Sequence, residues 1–274
     1  MLIKQGDLPD LQASLSLSER PGKPSAWSAS MTFGWRALLK IKYVPEQLFD
    51  VTAFPVMFLL MFTYLFGGAI SGSTGEYLDF VLPGILVMTV SMITMYTGLD
   101  LNKDIQKGIF DRFRTLPFWR PAALVGALLV DAVRYLLASS IMIGLGYLLG
   151  FRPDNGFGGL ALGVLLLLLF SFSLSWIWTF LSLIVRSEKA LMGISMMALF
   201  PLTFLSSVFV DTSTMPKWLQ RLVDVNPVTL VVDAVRGLAH GGLESGGLLA
   251  VVLISAGMIV VFAPLTMYRY NRQK

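Results

Sequence analysis

A chain of 274 residues that is 55% hydrophobic and only 14% charged, with a mean hydropathy of +0.71, lies outside soluble globular usage, where roughly 25% of residues are charged. Its net charge of +4 does not point to nucleic acid, because the basic residues sit in short segments beside long apolar runs, which is a topology signal. With no cysteine, disulfides, thiolate nucleophiles and Cys-ligated metals are excluded, and the composition is that of an integral membrane protein.

Residues 1–26, with several Ser, Pro and Gly, read as a mobile cytoplasmic tail. In residues 27–47, Trp27, Met31, Trp35, Leu38 and Ile41 fall on roughly one helical face, with Arg36, Lys40 and Lys42 elsewhere. This pattern predicts an interfacial amphipathic helix on the inner leaflet, the alternative being a simple helical lead into the first span. Apolar runs then predict spans at about 48–70, 78–100, 121–149, 159–185, 190–210 and 246–267. Each is long enough to cross ~30 Å of hydrocarbon, and continuous runs argue for helices rather than the alternating strands of a barrel. The first run begins too late for a cleavable signal peptide.

Between spans two and three lies Leu101–Arg120 (LNKDIQKGIFDRFRTLPFWR), with five basic and two acidic residues. It must face water, because each ionised side chain at a bilayer centre costs roughly 2.5–3.5 kcal/mol on insertion scales. Orientation follows from the Lys and Arg distribution. Arg152, Lys217, Arg221 and Arg236 fall on one side and Arg134 inside span three, leaving the other 16 of 21 on the opposite side, the cytoplasmic one by the positive-inside rule. Both termini are therefore expected in the cytoplasm. The expected fold is an all-α integral membrane protein of six spans, N-in and C-in, within a transmembrane domain over 48–270.

Inside span three, Asp131 and Arg134 are three residues apart on one helix and can pair, either as a structural ion pair or as part of a gate. Met57, Met61, Met88, Met92, Met95, Met196, Met197, Phe200 and Phe204 are flexible or aromatic side chains suited to a cavity for bulky apolar molecules, though most such residues face lipid or pack helices. Pro55, Pro83 and Pro201 fall inside spans, where each removes a backbone hydrogen bond.

The outer segment 211–245 carries Thr214 as a candidate cap for a helix running to Asp224, then the Asn226-Pro227 break. Val228–Ala239 follows, too short to cross and suited to a re-entrant or interfacial helix. Within it Asp233 and Arg236 repeat the three-residue spacing. His240 stands without a second His or any Cys, so it reads as a solvated loop residue. There is no GxxxxGK[ST] phosphate loop and no GxSxG elbow. If ATP drives this protein, a separate subunit binds it.

Two motifs carry a resemblance. GIFDRFRTLPFWRPAALVG (Gly108–Gly126) and TMPKWLQRLVDVNPVTLVVDAVRGL (Thr214–Leu238) resemble the matching regions of type-2 ATP-binding-cassette exporter permeases, especially the daunorubicin-resistance, DrrB-like branch. The resemblance covers residues 27–270 or so. It implies a non-catalytic subunit that dimerises with a second permease copy, or with a close paralogue, in a bacterial plasma membrane and docks two ABC ATPase subunits. ATP and Mg would be bound on those ATPases, with no cofactor or metal on this chain. The contact would be a coupling helix within 101–120: Asp104, Lys107, Asp111, Arg112 and Arg114 pairing with the ATPase, Ile105, Ile109, Phe110 and Phe113 filling a groove, and Gly108 between them. A merely solvated, topology-setting loop is the alternative. Asn226, Pro227, Asp233 and Arg236 become outer gate candidates. The expected function is export of amphipathic, drug-like or lipid-like molecules. A permease for lipid-linked polysaccharide and an ion-gradient-driven transporter are the alternatives, the latter supported only by Asp131 and Arg134.

Overall fold

The computed structural model describes Trp35 and residues 45–108, 122–242 and 245–272, and every regular element among them is helical. The expected helix over 27–47 therefore lies outside the described residues, except for Trp35, which is helical and exposed, and the last few positions. In chain order the helices are α1 (Pro45–Met61), continued by a π-turn (Phe62–Phe66), α2 (Gly67–Ser71), α3 (Thr74–Ile93), α4 (Met95–Gln106) and α5 (Ala122–Leu149). Then follow α6 (Gly156–Ser182), α7 (Glu188–Phe204), a 3-10 turn (Thr212–Thr214), α8 (Lys217–Val225), α9 (Pro227–His240) and α10 (Ser245–Arg272).

Local sequence explains the boundaries. Ser73 precedes α3 and its hydroxyl accepts from the Glu76 N–H at 3.2 Å, a capping-box spacing. Ser187 does the same for α7, accepting from Ala190 at 3.2 Å with Glu188 in the first turn, where an anion complements the helix dipole. At the other end of α7, Pro201 lies four residues before Leu205, whose backbone (φ −91°, ψ 55°) leaves the helix. The expected run 190–210 is consequently a helix of 17 residues, about 25 Å long at ~1.5 Å per residue, followed by irregular chain.

Five helical segments among the described residues are long and apolar enough to cross a membrane: Ala53–Ser71, Thr74–Gln106, Leu124–Leu149, Gly156–Ser182 and Gly246–Arg272. The second is α3 and α4 in near-continuous line, joined at Thr94, whose N–H still reaches Val90 and Ser91 and whose hydroxyl donates to Ser91. Its 33 residues outrun a ~30 Å hydrocarbon layer, so one end projects beyond it, and the polar end is α4 with Lys103, Asp104 and Gln106. The helix thus continues through Gln106 before turning at Gly108 (φ +64°), further than the span end read at residue 100.

The α3–α4 pair is the buried axis of the bundle, whereas α10 lies at the periphery against α6. Helix α6 is the hub, packed on α4, α5, α9 and α10. Close approach depends on small residues, as is usual where helix association cannot rely on expelling water. Gly98 of α4 abuts the Trp178 backbone of α6, and Gly84 of α3 abuts Val208 in the chain after α7. The Trp178 indole N–H donates to Thr94 Oγ1 at 2.8 Å, stitching the α3–α4 junction to α6.

Candidate functional site

Three features lie along the bundle: a polar cluster near the end of α4, an apolar cavity, and a second polar cluster where α8 and α9 pack.

At the first cluster, Arg134 of α5 reaches two carboxylates. Its Nη1 donates to Asp131 Oδ1 at 3.1 Å and its Nη2 to Asp100 Oδ2 of α4 at 3.2 Å. The Thr97 hydroxyl donates to the remaining Asp131 oxygen at 2.6 Å, and Tyr135 shares a 2.7 Å hydrogen bond with Ser175 one helix away. The three charged side chains are 5–16% exposed. The pair read from the i,i+3 spacing is therefore the intrahelical half of a triad. Its interhelical half, Asp100, is 34 residues away and carries no sequence signal.

Further along α4, Asn102 donates to the carbonyls of Ser182 (3.0 Å) and Val185 (2.8 Å), two groups at the frayed end of α6 with no helical partner of their own. Gln106 donates to Asn102, and Lys103 pairs with Glu188 of α7 at 2.8 Å. One polar stretch of α4 thus holds α5, α6 and α7 together. Of the expected ATPase-contact residues, Asp104 is partly buried, Lys107 is exposed, and Ile105 packs on a cluster of Leu101, Leu124, Leu128 and Trp176. Ile109, Phe110, Asp111, Arg112, Phe113 and Arg114 lie outside the described residues.

Above this cluster, α1, α3, α4 and α7 line a half-open apolar cavity of about 380 Å³, with Phe54, Met192 and Phe200 at its exposed rim. Phe54 and Phe58 line one wall, Met88, Met92 and Met95 a second, and Met192, Met196, Phe200 and Phe204 a third. Thr89 and Tyr96 supply the only polar side-chain atoms of the lining, and the Thr89 hydroxyl is spent on the Ile85 carbonyl at 2.6 Å. Methionine and phenylalanine walls adapt to bulky apolar bodies. Met88, Met92, Met95, Met196, Phe200 and Phe204 from the sequence reading come together here, the last three partly exposed, whereas the exposed Met57 and Met197 lie outside its lining.

The second cluster centres on Arg236 of α9. Its guanidinium pairs with Asp233 at 3.1 Å, donates to the Phe80 carbonyl at 3.2 Å and the Ser207 carbonyl at 2.9 Å, and lies 3.9 Å over the Phe80 ring. Asp233 also accepts from the Ser207 hydroxyl at 2.7 Å. Burial pulls the Arg236 pKa below its usual value, against Asp233 and Asp211, which hold it up. Asn226 caps α9 by accepting from the Val228 N–H at 2.9 Å. Its amide donates to the carbonyls of Leu202 (2.8 Å) and Leu205 (2.6 Å) at the broken end of α7. Three of the four outer candidates therefore act on the chain after α7, and Pro227 supplies the first turn of α9. Asn226→Ala is expected to cost about 1–2 kcal/mol by loss of the cap and to loosen residues 202–211, read as a lower melting temperature in detergent with faster amide exchange confined to that stretch.

Two readings change at this end. Thr214 ends a 3-10 turn capped by Asp211 instead of starting α8, which begins after Pro216, because an Asp211 carboxylate accepting from Ser213 at 2.8 Å captures the turn first. The hydrogen bonds from Ser213 hold the Asp211 carboxyl below the usual carboxylate range, so its stabilisation is present at neutral pH and is lost only as the pH falls through that lowered value. His240 is not a solvated loop residue. It ends α9, lies edge-on to Phe151, and contacts Asp154 and the Asp79 carbonyl, each at 3.2 Å. Among the described residues no three acidic or imidazole groups converge as a metal site.

A multi-pass helical bundle with a buried charged clasp and an apolar cavity defines the class: a polytopic α-helical membrane protein. The profile of the ABC-2 type transporter family matches residues 29–239, and the chain belongs to that family. It is 49% identical over 263 residues to "Daunorubicin resistance ABC transporter permease protein DrrB1" of Streptomyces coeruleorubidus, covering 96% of this chain and 93% of that one. It is 24% identical over 221 residues to "Probable doxorubicin resistance ABC transporter permease protein DrrC" of Mycobacterium tuberculosis, covering 80% and 79%.

Proposed function

We propose that this chain is the membrane-spanning subunit of an ATP-driven exporter that moves amphipathic, drug-like molecules out of the cytoplasm or inner leaflet. The observation that carries the reading is the likeness to a daunorubicin-resistance permease over nearly the whole chain. The apolar cavity supports it, because Met and Phe walls suit a large apolar body and offer few hydrogen bonds to a sugar chain. That chemistry also weighs against lipid-linked polysaccharide as cargo.

In this reading α7 is the fifth of six spans in chain order, both termini are cytoplasmic, residues 27–47 lie along the inner leaflet, and α8 and α9 cap the outer face. Two permease copies form a dimer and dock two ATPase subunits, which bind ATP and Mg; this chain binds neither. The stretch 101–120 receives the ATPase through Asp104, Ile105, Lys107, Gly108, Ile109, Phe110, Asp111, Arg112, Phe113 and Arg114. The Asp100–Arg134–Asp131 triad and Asn102 then link movement of that stretch to α5 and α6, since they bridge the helices on both sides of it. Phe110→Ala and Arg112→Glu are each expected to release the ATPase from the detergent-solubilised complex in a pull-down, with the permease still monodisperse. Undiminished co-purification in both variants rules out this docking site.

A further inference from the structure

Besides its main core, the bundle has a second, smaller apolar core where α4 finishes and α5 begins, formed by Leu101, Leu124, Leu128, Trp176, Leu183 and Tyr270. Ile105, one turn beyond Leu101 on α4, packs against it too. The last turns of α4 and the first turns of α5 therefore share one apolar seat, and the chain enters and leaves residues 109–121 from it. Along α5 the charged clasp divides the two cores. Leu124 and Leu128 precede Asp131, whereas Tyr135 and Ala138 follow Arg134 and belong to the main core.

The remaining wall of this small core comes from the far end of the chain. Helix α10 is the least buried of the five spanning segments, yet Tyr270 near its end is only 9% exposed, and Met267 packs against the same core. Tyr268 lies on the other side of that turn, is exposed, and instead takes the Arg272 guanidinium over its ring at 4.4 Å. The geometry before Tyr270 explains how a peripheral helix reaches inward. Phe262 lies edge-on to Phe180 of α6 at 6.0 Å, fixing α10 there. Pro264 then removes a rung of the helix ladder, a break that lets the last two turns take a direction of their own. Thr266, fully buried with its hydroxyl on the Phe262 carbonyl at 2.6 Å, shares the inward face with Tyr270 four residues on.

We infer that this core is the seat of the ATPase-docking stretch and that Tyr270, aided by Met267, is a positioning residue for docking, acting through the ends of α4 and α5. For its functional meaning the inference rests on the proposed docking of the ATPase at 101–120; the seat itself rests on the packing. Removing the Tyr270 ring leaves a void in one wall, and the helix ends that bracket the stretch lose a surface that fixes their spacing. The docking side chains are then presented in more than one arrangement, and the ATPase binds only the competent fraction.

The full chain in lipid nanodiscs, titrated with its ABC ATPase and followed alone by amide exchange, tests this. Tyr270→Ala is expected to weaken ATPase binding by about tenfold, the effect of a competent arrangement populated about one-tenth of the time. Met267→Ala should act in the same direction and less strongly, and Tyr270→Phe, which keeps the ring, should recover most of the affinity. In Tyr270→Ala, exchange should quicken over residues 101–106 and 122–130 and stay unchanged over 78–90. Tyr268→Ala should alter neither readout. Val251→Ala, a void where α10 meets the main core, should lower the melting midpoint without weakening ATPase binding. Unchanged exchange in Tyr270→Ala overturns the seat. Wild-type ATPase affinity in Tyr270→Ala, or an equal loss in Val251→Ala, overturns the positioning role. If the unsubstituted chain binds no ATPase while exchange at 101–106 still depends on Tyr270, the docking reading fails and the seat stands.

Discussion

Arg134→Ala is expected to abolish accumulation of folded protein. It strips the 5% exposed Asp131 of its arginine and removes the Arg134 pairing of Asp100. Removing one partner of a buried ion pair costs about 3–5 kcal/mol, mostly the penalty of the charge left behind, here chiefly that of Asp131. Fluorescence-detected size-exclusion chromatography should show loss of the monodisperse peak. Neutralising the carboxylates in the same chain, as Arg134→Ala with Asp100→Asn and Asp131→Asn, should recover much of it, because amides can pair with each other and with Thr97. Asp131→Asn alone is expected to assemble normally, since the Thr97 bond and the Asp100 pairing survive. A wild-type elution profile for Arg134→Ala contradicts the view that this clasp is structural first and a coupling element second.

Gly98→Leu is the second large effect. A Cβ on residue 98 would meet the Trp178 carbonyl oxygen at 2.6 Å and its Cβ at 3.0 Å, and neither is a flexible group able to move aside. Separating α4 from α6 would also break the Trp178–Thr94 bond and the two bonds from Asn102 to the end of α6. Overpacking alone costs about 1–3 kcal/mol, and the lost bonds add to it, each leaving a buried polar group without a partner. A fall of several degrees in thermal midpoint in detergent is the expected reading. An unchanged midpoint shows that the helices part more easily than this contact implies.

The physical range of each signal decides what was legible from the residues. Helix periodicity is local, so Asp131 with Arg134 and Asp233 with Arg236 were visible as pairs. Asp100 was not, because its partner lies across a helix interface that no spacing encodes. The Asn-Pro break before α9 was legible as a stop and a start, while the reach of the Asn226 amide to Leu202 and Leu205 depends on where α8 folds back. Hydropathy extended the run after residue 190 through Val210, yet Pro201 and the departure of Leu205 end the helix at Phe204. That is why Phe209 looked like one more apolar span residue and turned out to sit in irregular chain, stacked against another helix. Composition likewise hid His240, whose two ring-nitrogen contacts come from residues 86 and 161 positions away.

In the proposed function, ATP hydrolysed on another subunit drives cargo through this one. The most direct measurement reconstitutes the chain with its ABC ATPase in proteoliposomes and follows doxorubicin fluorescence. Uptake is expected to require ATP and both subunits, to be abolished by a hydrolysis-deficient ATPase, and to be indifferent to collapse of ion gradients. Uptake by this chain alone, driven by a proton or sodium gradient without ATP, would contradict it.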